Sequence, residues 1–405
     1  MGEKRGWGLL SGLALVTVAL FAAYSGVLSV LLPQQVASIA PDDKVGSLAV
    51  IVSISFAVTA IAQPLIGALS DRTVSRWGRR VPWMIAGALA GGAALGAMGG
   101  ATSVALLAVL WAAAQFALNG TDIASTVYLV DAFPAGRRGR VAGVLGVSVV
   151  VGGAAGAVVA GMVSSPGQGY LVLAAAVLLA VAVFAFLFRE QTVVQPVRER
   201  FAWTALLKGF WFDPRRHPDF AWVLVWRIVF AVAYGSVHGY LFYFLTDYIG
   251  VAEADAPALV GRVTIVGGAG VVVAVLLGGW LSDRLGRRKP FLVIACALVA
   301  IANVVPLLAP SVPGILVLAG VLGFALGLVI ACGTALASEV LPDPVDGAAR
   351  GLGIFNLATN LGQAVAPLAA AAAISRLGGY PALLIGSALL MVVGAGVVFA
   401  IRGAR

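Results

Sequence analysis

Charge is scarce in this chain. Of its 405 residues only 11% are Asp, Glu, Lys or Arg, against about 25% in an ordinary soluble domain. With 61% hydrophobic residues and a mean hydropathy of +1.03, too little polar side chain exists to cover a water-facing surface. A soluble globular domain is excluded, and the chain reads as integral to a membrane. Histidine and cysteine number two each, which excludes a zinc cluster or a disulfide scaffold. Cys296 and Cys332 lie in apolar runs that suit packed thiols. No Gly-rich loop ending in Lys-Ser/Thr is present, so an ATP-driven pump is unsupported. Neither a Ser–His–Asp set nor metal-spaced His and Cys appears, so the chain does not read as an enzyme and no metal is expected. Short runs of alternating polarity, the mark of a membrane barrel, are also missing.

What the chain has is long apolar runs. Twelve stretches approach the roughly 20 residues that a helix needs to cross a bilayer. They are 8–32, 45–69, 81–100, 103–131, 140–164 and 168–189, then 219–247, 257–281, 290–309, 312–340, 348–375 and 379–402. The run beginning at Leu9 is longer than a signal-peptide core of about 7–15 residues, so it is expected as a retained span. Lys and Arg sort to one side: Lys4, Arg5, Arg72 to Arg80, Arg137 to Arg140, Arg189 to Arg216, Arg284 to Lys289, Arg350, Arg402 and Arg405. Only Lys44, Arg262 and Arg376 fall on the other. This bias places both termini in the cytoplasm and the protein in the cell (inner) membrane. The net charge of +9 is thus a topology signal, and no nucleic-acid partner is expected. Residues 190–218 interleave Trp203, Phe210, Trp211 and Phe212 with arginines, as in a segment lying at headgroup level. The expected division is a bundle over 1–189, a cytoplasmic interfacial linker over 190–218 and a second bundle over 219–405.

The two halves repeat. Gly67-Ala-Leu-Ser-Asp71-Arg72 followed by Arg79-Arg80-Val-Pro82 returns as Gly279-Trp-Leu-Ser-Asp283-Arg284 followed by Arg287-Arg288-Lys-Pro290. Asp131-Ala-Phe-Pro134 at the end of the fourth span returns as Glu339-Val-Leu-Pro342 at the end of the tenth. Repeated halves with a site between them are typical of secondary transporters.

These loops resemble the signature of the major facilitator superfamily. Gly67, Asp71, Gly78, Arg79 and Arg80 match it once, and Gly279, Asp283, Gly286, Arg287 and Arg288 match it again. The resemblance implies an all-α membrane fold of twelve transmembrane helices in two pseudo-symmetric six-helix bundles around a central cavity. It also implies a cytoplasmic gate: Asp71 with Arg80 and Asp131, and Asp283 with Arg288 and Glu339, with Arg72, Arg79, Arg284 and Arg287 beside them. Such a cluster would hold the cytoplasmic face shut. The longer first loop, Ser70 to Pro82, is similar to that of the glycoside–pentoside–hexuronide and sucrose-type carriers. The second span carries Ser53, Ser55, Thr59 and Gln63 but no acidic residue, which departs from the sodium–melibiose relatives and argues against a sodium site of their kind. The fifth span lacks the Pro of the drug–proton antiporters.

Few polar side chains lie inside the spans. Gln115, Asn119, Asp122 and Thr126 are spaced by four, three and four, on one helical face. Asp122 precedes Asp131 by nine residues, about 13 Å of helix, near the middle of a core about 30 Å thick. Burial there disfavours the charged carboxylate, so Asp122 is the candidate proton carrier; a structural Asp held by amides or by an arginine is the alternative. Arg227, Tyr234 and His238 share a face of the seventh span. Arg227 either snorkels to the cytoplasmic surface or reaches inward, and His238 is either a titrating group or a satisfied core residue. Asp247 is expected to pair with Arg262. Asn356, Asn360 and Gln363 form a stripe on the eleventh span, and Ser55, Thr59 and Gln63 another on the second. Tyr24 stands on the first, with Gln34 and Gln35 at its outer end. Amides and tyrosines on facing helices suit a ligand with many hydroxyls or serve as interhelical glue. Gly92, Gly96 and Gly100, and Gly152 and Gly156, repeat at four and permit close helix approach.

The function expected is secondary active transport by alternating access, proton-coupled, of a sugar or glycoside. The proton is the coupling ion, and no cofactor is expected. The partners are a small-molecule substrate and the lipid bilayer, and the chain is expected as a monomer. Two alternatives stand beside this: a proton-driven exporter of amphipathic drugs or metabolites, and a non-transporting receptor or assembly factor on the same fold, docking its partner at 190–218.

Overall fold

In a hydrocarbon interior every backbone N–H and C=O of an isolated segment has to be satisfied within that segment, which leaves the helix as the form for long apolar runs. The computed structural model describes residues 3–188, 212–343 and 348–403, and among these every regular element is helical. Twelve of the described helices are long and apolar enough to cross a membrane. Spans one to six are Trp7–Ile39, Pro41–Ser70, Val81–Met98, Val104–Leu129, Val141–Met162 and Pro166–Leu187. Spans seven to twelve are Pro218–His238, Ala256–Leu285, Lys289–Leu308, Val312–Glu339, Arg350–Arg376 and Gly379–Ala400. The chain falls into two compact units, Met1–Phe201 and Ala202–Arg405. Most of the segment expected as a linker, 190–218, lies outside the described residues.

The sequence repeat is also a packing repeat. Within the first unit, span one packs on five and six, three on four and six, and two on four. Within the second, span seven packs on eleven and twelve, nine on ten and twelve, and eight on ten. Each pairing in one unit has its counterpart six spans later. The starts of spans four and ten repeat too: Ser103 Oγ accepts the Leu106 N–H at 3.2 Å and Ser311 Oγ accepts the Gly314 N–H at 3.3 Å. Each serine thereby satisfies an orphan donor at a helix N-terminus.

Glycine decides how closely span one approaches span five. A Cβ on Gly156 would collide with the Ala22 carbonyl, and one on Gly152 would sit 2.5 Å from the Val18 carbonyl. In the second unit a Cβ on Gly323 would collide with the Gly267 carbonyl, so spans eight and ten are in the same kind of contact. Gly96 differs, because its Cβ would meet only the Leu171 side chain, at 3.4 Å. Gly156→Ala is therefore expected to destabilise by about 1–3 kcal/mol, as overpacking does. Gly96→Ala is expected to be neutral or slightly stabilising, since alanine is the better helix former by about 1 kcal/mol. Equal melting temperatures for the two variants in detergent would remove the backbone-contact explanation.

Two boundaries differ from expectation. Span one does not end near residue 32; it runs on to Ile39 through a wide turn at Val27–Leu31, in which the Leu32 N–H bonds to the Val27 carbonyl. Pro33 follows at once and opens the next helical piece. A wide turn relieves the clash of a proline ring with the carbonyl four residues back. Span seven ends at His238 rather than 247. Gly239 caps it with an N–H to the Gly235 carbonyl at 2.8 Å, Leu241–Tyr243 form a separate turn, and Phe244–Tyr248 wind as a π turn. Asp247 thus lies beyond the break and accepts the Tyr380 hydroxyl at 3.0 Å, while Arg262, its expected partner, is exposed.

Candidate functional site

The interruptions in spans one and seven occupy corresponding places in the two halves, about 20 residues after the start of each unit's first span. Interrupted helices at matching positions of a repeat point to the binding region of a secondary transporter. The polar side chains inside the spans gather below these breaks, one set in each unit.

In the first unit the set spans helices one, two and four. Gln115 and Asn119 are buried. Asn119 Nδ2 donates to the Gln115 carbonyl at 2.8 Å and to Thr59 Oγ1 at 3.3 Å, tying span four to span two. Thr59 in turn donates to the Ser55 carbonyl at 3.0 Å, and Gln63 is half-buried one turn further on. Asp122 is half-buried, and among the described residues of its unit its carboxylate meets no hydrogen-bond donor and no cation. It lies close enough to Tyr24 to act on it electrostatically, and the buried Tyr24 hydroxyl has no hydrogen-bond partner. A charged group at membrane depth costs about 2.5–3.5 kcal/mol on insertion scales, which sets Asp122 apart from the other polar groups of the set. Gln35 does not belong to this set: its amide donates to the Met98 carbonyl at 2.7 Å and to the Ala101 carbonyl at 3.3 Å, closing the C-terminal end of span three.

In the second unit the set lies on spans seven and eleven. Arg227 turns inward rather than snorkelling. Its Nε donates to Thr359 Oγ1 at 2.7 Å and its guanidinium lies 5.2 Å from the centre of the Phe355 ring. Tyr234 is half-buried and stacks on the exposed His238, with ring centres 5.5 Å apart. On span eleven Asn360 is buried, Gln363 half-buried and Asn356 exposed.

Where spans two, three and four meet, and again spans eight, nine and ten, each unit carries a clasp. Arg80 is 4% exposed and binds Asp71 Oδ1 at 2.6 Å and Asp131 Oδ2 at 3.2 Å. Its third nitrogen donates to Ser70 Oγ at 2.8 Å. One guanidinium fork therefore joins the ends of spans two, three and four. The second unit repeats the geometry: Arg288 binds Asp283 at 2.5 Å, Glu339 at 3.7 Å and Ser282 Oγ at 2.5 Å. The hydrogen bond to Asp283 pushes the Arg288 guanidinium up from its ordinary value, so its charge is permanent. Gly78 and Gly286 turn the chain into each clasp with φ of 86° and 61°, a left-handed conformation that glycine adopts without strain. Arg79 is half-buried and its Nε is without a hydrogen-bond partner. Arg72 and Arg287 are exposed, and exposed Arg284 lies over the Trp280 ring at 5.5 Å. The second arginine of each pair makes the clasp in both units.

Sequence reasoning passed over Ser70 and Ser282, which anchor the third nitrogen of each arginine; the signal was their place one residue before the acidic residue in both copies. It also passed over Phe355 and Thr359, which orient Arg227 from across a helix pair and leave no trace in local spacing.

Comparison with known proteins agrees with this architecture. A bacterial homolog of the human lysosomal transporter Spinster, in an inward-facing and unoccupied conformation, has TM-score 0.75 at 14% identity, over 99% of this chain and 98% of that one. The nucleoside transporter NupG has TM-score 0.77 at 15% identity, over 97% of this chain and 99% of that one. At such identity the likeness is one of fold. A stretch of 28 residues is 71% identical to part of the uncharacterized symporter sll1374 of Synechocystis sp.; it makes up 7% of this chain and 5% of that protein. The family model described as Major Facilitator Superfamily matches residues 13–270 and 254–404. With motif, packing repeat, twelve spans and family match in agreement, this chain, a multi-pass membrane transporter and not an enzyme, belongs to the Major Facilitator Superfamily.

Proposed function

We propose that the protein is a proton-coupled secondary transporter that moves a small polar solute, a sugar or glycoside, by alternating access, with Asp122 as the proton-carrying group. The observation that carries this reading is the Asp122 carboxylate. It sits at membrane depth with no cation or donor from its own unit, beside an unpartnered Tyr24 hydroxyl. Such a group exchanges a proton with water or ligand instead of holding a fixed ion pair. Around it the Gln115 and Gln63 amides and the Asn119 side-chain carbonyl are groups of the kind that a polyhydroxylated solute needs, while the Asn119 and Thr59 donors hold spans two and four together. The short identity to a named symporter favours the same direction of coupling.

The test is uptake into proteoliposomes with an entrapped pH dye, challenged with sugars, glycosides and lipophilic cations under an imposed pH gradient. Co-entry of protons with a sugar or glycoside is the expected result. Proton movement opposite to that of a lipophilic cation, with silence to every sugar, would replace this reading with drug export.

A further inference from the structure

Span seven carries a row of rings. Trp226, Phe230, Tyr234 and His238 recur every four residues, with successive ring centres 6.1, 5.9 and 5.5 Å apart. The upper two pairs are stacked, with interplanar angles of 10° and 24°. The row starts in the packing, where Trp226 and Phe230 are buried, and ends in the open, with Tyr234 half-buried and His238 exposed. A four-residue step advances about 40° around a helix, so the row winds as it rises. At Tyr234 it reaches the strip of Arg227, which is seven residues and about 20° away. The exposed end of the row and the arginine therefore face the same way, separated by two turns, about 10.5 Å of rise.

Arg227 is held for a purpose that its own unit does not fulfil. The bond from Nε to Thr359 and the Phe355 ring fix the plane of the guanidinium. Neither terminal amino group donates to an acceptor among the described residues of the unit, and no Asp or Glu of that unit pairs with it. An arginine kept at membrane depth, oriented and without a counter-ion from its unit, presents the two parallel donors that match a carboxylate. Tyr234, covered on its two faces by Phe230 and His238, leaves ring edges open two turns away, and an aromatic edge suits the face of a second ring.

We propose that the substrate is a ring-bearing organic anion of glycoside size, its carboxylate paired with the terminal amino groups of Arg227 and its ring set against the open edges of Tyr234 and His238. This rests on the transporter reading above and narrows its substrate class from glycosides at large to acidic ones.

The test needs no transport and no proton gradient. Binding of 4-carboxyphenyl β-glucoside and of phenyl β-glucoside, which differ only in the carboxylate, is measured by calorimetry on the purified full chain in detergent. The acid is expected to bind at least about tenfold more tightly, the gain from one charge-assisted pair. Arg227→Gln is expected to remove that preference, and Arg227→Lys, which keeps the charge but not the fork, to retain part of it and to report on folding. Tyr234→Ala is expected to weaken both compounds by a similar factor. Equal affinities in the wild type, or a preference that survives Arg227→Gln, would overturn the assignment and leave the glycoside reading standing. Binding of neither compound would overturn both.

Discussion

Proteoliposomes carrying Asp122→Asn are expected to show no uphill accumulation of solute under a pH gradient, while exchange of solute at equal concentrations persists. The expected size follows from the coupling. One proton moving down one pH unit supplies about 1.4 kcal/mol, a tenfold concentration ratio. The wild type is expected to reach that ratio in steady-state uptake at zero membrane potential, and the asparagine variant to stop at a ratio of about one. The reasoning is local: the Asp122 carboxylate has no counter-ion in its unit, so the amide removes a charge that nothing else there was balancing, and folding is expected to survive. Its neighbours Asn119 and Thr59 are bonded to each other and to backbone carbonyls, so they offer no replacement proton carrier. Accumulation by Asp122→Asn equal to that of the wild type would remove this residue from the coupling path.

The largest expected effect on stability lies in the first clasp, and it is not additive. Asp71→Asn alone leaves Arg80 paired with Asp131 at 3.2 Å and bonded to Ser70 at 2.8 Å. Asp71 is itself 64% exposed, so the loss is expected to be about 1 kcal/mol or less, with slowed transport and intact binding. Asp131→Asn alone is expected to behave alike. The double variant differs in kind: a guanidinium only 4% exposed then loses both carboxylates of the clasp, and removing the acidic partners of a buried charge costs about 3–5 kcal/mol. The same pair of changes at Asp283 and Glu339 is expected to cost less. Arg288 is 19% exposed and its bond to Glu339 is long, at 3.7 Å, so water replaces more of what is lost. Apparent melting temperatures of the two single and two double variants in detergent check this. A first-clasp double variant that merely sums its singles would show that Arg80 is hydrated in the folded protein.

Much of the architecture was legible because the bilayer constrains each segment by itself. Length and apolarity place twelve helices without reference to neighbours, and the places where reading and structure part are those where a partner intervenes. Span seven looks continuous to Asp247 in hydropathy, yet it breaks at Gly239, with the Tyr240 hydroxyl donating to the Pro367 carbonyl 127 residues away. The clasps were legible for another reason: the motif occurs twice, and its resemblance to the family signature implied the pairing of Arg80 with Asp71 and Asp131 and of Arg288 with Asp283 and Glu339. Gln35 carried no such signal. By type and position it suited a ligand contact or interhelical glue alike, and its amide closes the end of span three.

By itself the sequence determined that this protein has twelve helices long and apolar enough to span a membrane and that its halves are repeats. Those features depend on local apolarity and on internal repetition. Only the tertiary structure decided which polar side chains are tied up and which are left over. Asn119 spends its amide donors on Thr59 of span two and on its own helix, and Gln35 on the end of span three, whereas Asp122, the Tyr24 hydroxyl and the ends of Arg227 receive no partner from the described residues of their own units. A hydrogen bond between spans depends on the distance and rotation of two packed helices, and no spacing along a single chain segment encodes either.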